Sequence, residues 1–122
     1  MNHSEYDQNK QLLVTLFTGD IELTEVLSYI QSIGLNMDYS RNINILIDAR
    51  ESKSLYSIKG VTEISKVSKK AFQHYTGARL AIIESNPIET VLSIIYQKIT
   101  KPTNYTFKIF STKEAALRWL SK

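Results

Sequence analysis

At 122 residues, with 43% hydrophobic and 22% charged side chains, the chain has the length and make-up of one globular domain and no room for two. It contains no cysteine, which excludes disulfides, thiolate catalysis and cysteine-held zinc or iron–sulfur centres, and favours a reducing, cytoplasmic setting. The net charge of +3 is mild for a nucleic-acid binder, so no nucleic acid is expected as a partner. The polar start MNHSEYDQNKQ does not read as a signal peptide, and no apolar run has the length of a transmembrane segment.

Along the chain the apolar pattern switches repeatedly between strand and helix periods. Residues 3–9 can form a short edge strand, turned at Asn9-Lys10 onto a β-rich run at 11–18 that Gly19-Asp20 is expected to end. Leu23, Val26, Leu27, Ile30 and Ile33 then mark one helix face near 22–33, with Gly34 expected as its left-handed stop. The run Ile43–Ile47, closed by Asp48, is apolar enough for a strand buried on both faces, and a Ser-rich loop should follow it. Val61, Ile64, Val67, Ala71, Phe72 and Tyr75 predict a helix near 57–74, and 79–84 the next buried strand.

Asn86-Pro87-Ile88-Glu89 has capping-box spacing with proline at the first helical position. The helix it opens, near 87–100, is expected to turn Ile88, Val91, Leu92, Ile95, Tyr96 and Ile99 inward. Residues 105–110 predict the last strand. Ser111-Thr112-Lys113-Glu114 reads as a second capping box, stapled by Phe110 and Ala115, before a closing helix near 112–121. Trp119 is expected to be largely buried there. Such alternation with short connections implies parallel strands joined by crossover helices.

Three stretches together resemble a known family. They are Ile45-Leu46-Ile47-Asp48-Ala49-Arg50, then Arg79-Leu80-Ala81-Ile82-Ile83-Glu84 leading to Asn86-Pro87, then Phe107–Ser111 ahead of Glu114–Leu120. This pattern resembles the SpoIIAA-like group of bacterial proteins, which share a fold with STAS domains and, more distantly, with CRAL-TRIO lipid carriers. The resemblance implies a single SpoIIAA-like domain over 1–122. Its α/β fold would hold a mixed, mostly parallel sheet of four to five strands in four β–α units. It further implies a non-enzymatic regulatory or protein-interaction module without a cofactor; the alternative is a carrier or sensor of a small apolar or anionic, lipid-like ligand. The expected partners are another protein, such a ligand, or a second copy of the chain. Anti-sigma-factor antagonists of this fold are phosphorylated on a serine in an Asp-Ser-Ser-Gly pattern, which the stretch Asp48–Gly60 does not reproduce.

Candidate site residues follow from position. Asp48 closes a buried strand; it reads first as a loop cap paired with Arg50, and second as a ligand holder. Ser52, Ser54 and Ser57 precede a helix, where N-capping competes with phosphate binding. Together with Ser85 and Asn86 they would form one anion- or partner-binding rim at the carboxyl edge of the sheet. Lys59, Lys66, Lys69 and Lys70 share an outer helix face, first a solvated surface and second a dock for an acidic partner. His3 and His74 have no metal-ligand spacing, and the scattered glycines form no nucleotide cradle. Tyr39, Tyr56 and Tyr105 fall outside the apolar stripes and are candidates to rim a pocket.

Overall fold

The computed structural model describes residues 1–122. In chain order the elements are β1 (Asn2–Asp7), β2 (Leu12–Ile21), α1 (Leu23–Leu35), β3 (Asn42–Ser54), α2 (Ile58–Phe72), β4 (Gly77–Ile83), α3 (Pro87–Ile99), β5 (Tyr105–Phe110) and α4 (Lys113–Leu120). They form one five-stranded sheet in the order β1-β2-β3-β4-β5. β1 is antiparallel to β2 and every other pair is parallel. The edge strand turns at Asp7, whose carboxylate accepts the backbone N–H groups of Asn9 and Lys10.

From β2 to β5 each crossover steps to the next strand in the same direction. A uniform hand then places α1, α2 and α3 on one face of the sheet. The larger core, 19 buried residues, lies on that face and includes Ile30, Val61, Phe72 and Tyr96 from the helices. Helix α4 follows β5. It folds onto the other face, where Ala116 and Leu120 meet Leu46, Ala81 and Ile83. β3 is therefore buried on both sides, which is why residues 43–47 are apolar at every position but Asn44.

Several local expectations change in the folded chain. Residues 49–54 extend β3 as strand instead of forming a loop. Gly19 does not end β2; it takes φ +75° inside the strand, opposite Ser52. Gly34 lies within α1, without a left-handed φ. It is needed for contact: a Cβ there would sit 2.9 Å from the Ala71 Cα of α2. Ser57 occupies the N-cap position of α2 but its side chain makes no capping bond. At α4 the cap is Thr112, one residue later than the box predicted, with its hydroxyl accepting from the Ala115 N–H.

The largest departure is in α3. Asn86 caps it as expected, accepting the Ile88 N–H, but Glu89 does not reach back to complete the box. Tyr96 is buried and Leu92 and Ile95 pack partly buried against the core as expected, but Glu89 and Ser93 are buried with them, while Ile88 is 71% and Val91 53% exposed. Counting apolar residues sets the inward face off-centre because polar side chains with partners inside the protein also face inward.

Candidate functional site

Between the sheet and α1–α3 lies an apolar cavity of about 100 Å³, lined by 21 residues of which 16 are hydrophobic. Ile47 and Ala49 of β3, Leu80 and Ile82 of β4, and Phe107 of β5 form its floor. Val26, Tyr29 and Ile30 of α1, Val61 and Ile64 of α2, and Leu92 and Tyr96 of α3 form its roof. The tyrosine hydroxyls in these walls are committed to the protein. Tyr29 shares a hydrogen bond of 2.7 Å with Thr15. Tyr96 donates to Ser68 and shares a 2.9 Å bond with Tyr105, whose ring stacks on Phe72.

One end of the cavity is polar. It is built where β3 and β4 finish and α3 begins, and it carries Ser52, Ser54, Tyr56, Glu84, Glu89 and Ser93. A bulge puts the serines there. Leu16 pairs with Asp48 but Thr18 pairs with Glu51, so β3 holds one extra residue across this step. Before the bulge, odd-numbered residues of β3 (Ile43, Ile45, Ile47, Ala49) face the cavity side; after it, Ser52 and Ser54 do. Ser54 donates both its N–H and its hydroxyl to the Glu89 carboxylate.

Glu84, the residue after β4, is 7% exposed. Its Oε1 accepts from the Ser93 hydroxyl at 2.7 Å, while its Oε2 is buried without any partner. Burial raises its pKa to about 7; the Ser93 bond lowers it, and the nearby Glu89 adds to the rise. Burial also raises the Tyr56 hydroxyl. None of the lining side chains is a lysine, arginine or histidine.

The residues proposed from sequence divide between two faces. Ser52 and Ser54 stand at the polar end of the cavity. Asp48 and Arg50 form an ion pair of 2.7 Å, with Asp48 also accepting the Arg50 N–H at the bulge. That pair belongs to the α4 side: Lys113 and Glu114 of its first turn add to the fields that lower Asp48 and raise Arg50, after the dominant Asp48–Arg50 hydrogen bond. Ser57, Ser85 and Asn86 are exposed in the connections that open α2 and α3. Lys59, Lys66, Lys69 and Lys70 are exposed along α2, with Lys66 3.6 Å from Glu63. Tyr56 and Tyr105 line the cavity, whereas Tyr39 packs on Tyr6 away from it. Sequence reasoning missed Glu84 and Glu89 as site residues. Glu84 carried a signal: it follows a buried strand directly, as Asp48 does.

The model of a family described as Domain of unknown function (DUF7793) matches residues 35–122. The chain belongs to this family. In this DUF7793 chain the polar end of the cavity lies wholly within the matched residues, whereas β1, β2 and most of α1 precede them. Comparison with curated proteins finds no match. Among solved structures, the chain is similar to an uncharacterised DUF3478-family protein with a SpoIIAA-like fold from Shewanella loihica PV-4. The two share 21% identity and a TM-score of 0.62, covering 98% of this chain and 92% of that one. The DUF7793 chain thus has the SpoIIAA-like fold that its sequence resembles. No helix in it is long and apolar enough to cross a membrane.

Proposed function

We propose that this chain is a non-enzymatic STAS-like binding module that holds one small, largely apolar molecule between its sheet and helices α1–α3. The observation that carries this reading is the buried, partnerless Oε2 of Glu84, a residue at the polar end of a cavity whose lining is mostly hydrophobic. A buried acceptor left unpaired costs about 1–3 kcal/mol, so a ligand that reaches it gains that satisfaction on binding. Apolar walls with a few convergent polar groups are the usual make-up of a small-molecule site. The volume is on the scale of a single ring, close to engineered cavities of about 150 Å³ that take up benzene.

The regulatory, protein-interaction reading has its own support. Leu55, Ile58, Ile88 and Val91 are all more than half exposed. The Ser54–Glu89 contact draws together the two segments that carry them, beside the polar end of the cavity. In this proposal a partner would read occupancy of the cavity at that surface.

The test is a methyl chemical-shift titration with indole and with benzyl alcohol. Shifts at Ile30, Ile47, Ile64, Leu80 and Leu92 are expected. Shifts confined to the Lys59–Lys70 face of α2, or none at all, would remove the cavity as a binding site.

A further inference from the structure

We infer that the molecule held in the cavity is a small apolar amine, bound as its ammonium ion against Glu84 and Glu89. This rests on the cavity being a ligand site, and it names the chemical class that the site selects.

The serine hydroxyls at the polar end are already donating inside the protein: Ser52 to the Ala49 carbonyl, Ser54 to Glu89 and Ser93 to Glu84. Deeper in, the tyrosine and serine hydroxyls bond one another. What remains unpaired is an acceptor, Glu84 Oε2. A ligand carboxylate or phosphate would therefore meet two acidic side chains, with only the Tyr56 hydroxyl and, below about pH 7, the protonated Glu84 carboxyl as donors. A ligand with N–H or O–H groups meets what it needs.

Charge chooses between those donors. Glu84 and Glu89 are both at most 8% exposed and lie close enough for Glu89 to raise Glu84. With no cation among the lining residues, the local charge at this end is uncompensated although the whole chain carries a net charge of +3. The N-terminus of α3 contributes an opposing partial charge, but only about half an elementary charge. An ammonium ion with three donors compensates the carboxylates and satisfies the free oxygen; a neutral hydroxyl does only the second.

Binding must then be linked to protons. The other titratable groups around the cavity are Tyr29, Tyr56, Tyr96 and Tyr105, all shifted upward and so neutral near neutral pH. An ammonium ion requires ionised Glu84. Affinity for an amine should rise as pH rises through about 7, and below that pH binding should release a proton to solvent.

The experiment is calorimetry with benzylamine, benzyl alcohol and benzoate, in two buffers of different ionisation enthalpy. Benzylamine should bind about tenfold or more tightly than benzyl alcohol, with benzoate weaker than both. Proton release should accompany only the amine. Glu84→Gln should bring benzylamine down to the level of benzyl alcohol and abolish the release. Glu84→Met, which keeps apolar volume, is the second variant should Gln disturb the fold. Benzyl alcohol or benzoate binding as well as benzylamine would overturn the amine assignment while leaving the cavity a ligand site. If none of the three binds and the cavity methyl groups stay unmoved, both readings fall together.

Discussion

At the scale of single residues, Glu84 is the costly position. Burial, with Glu89 nearby, makes a carboxyl group with one oxygen bonded to Ser93 and the other unpaired resist ionisation, so its pKa stands at about 7 against an ordinary value of 4.5. The folded state therefore holds a proton that the unfolded chain has already lost. Stability should fall as pH rises from about 4.5 to about 7 and then level off, by about 3 kcal/mol from this group. Glu84→Gln keeps the shape and removes the titration. Urea midpoints compared at about pH 5 and about pH 8 should drop for the parent chain and change less in the variant. Equal pH dependence in both would show that Glu84 ionises freely. Asp48 behaves oppositely: the Arg50 hydrogen bond holds its carboxyl low, and the pair fastens the bulge that redirects β3.

Elements meet at contacts that their own propensities do not reveal. Gly34 costs α1 about 1 kcal/mol in helix propensity relative to alanine. Its neighbour across the interface is Ala71, whose Cα and Cβ would lie 2.9 and 3.0 Å from a new methyl group. Backbone cannot yield as a flexible side chain does, so packing decides the sign. Gly34→Ala should destabilise by about 1–3 kcal/mol despite the propensity gain, read as a lower thermal midpoint. A raised midpoint would show that α1 and α2 can part without penalty.

The closing helix is held differently. Arg79 of β4 donates to the carbonyls of Trp119 and Leu120, satisfying acceptors at the end of α4 and placing a cation at its negative pole. Trp119 is partly buried, tilted against Phe110 at 5.7 Å between ring centres. Trp119→Ala should cost about 3 kcal/mol, the lower end for a buried aromatic, in denaturant titration. An unchanged midpoint would release α4 from any structural role.

For the whole molecule, strand order decides where a site can form. Doubly wound sheets open a crevice where the strand order reverses. Here the order from β2 to β5 never reverses, so all three crossover helices share one face and a ligand space can open beneath them. Ala49 sits on the floor of that space with room above it. Ala49→Leu should fill part of the cavity, leave stability unchanged or raise it by about 1 kcal/mol, and abolish binding of indole and benzylamine. Intact binding, measured by the same methyl shifts, would place the ligand elsewhere.

The resemblance to the SpoIIAA-like group implied the fold, and the sequence by itself determined the order of strands and helices and the parallel pairing of the core. Those depend on local periodicity, caps and unbroken apolar runs, each of which is written within a few consecutive residues. It could also locate the carboxyl edge of the sheet as the place where polar side chains gather. Only the tertiary structure decided which of them face one another. One extra residue in β3 sends Ser52 and Ser54 to the side opposite Asp48 and Arg50, and a bulge has no hydrophobic signature. The rotation of α3 was equally hidden. Its outward and inward faces are both partly apolar, and the choice between them was made by Ser54 and Glu84, which lie elsewhere in the chain and give Glu89 and Ser93 their partners.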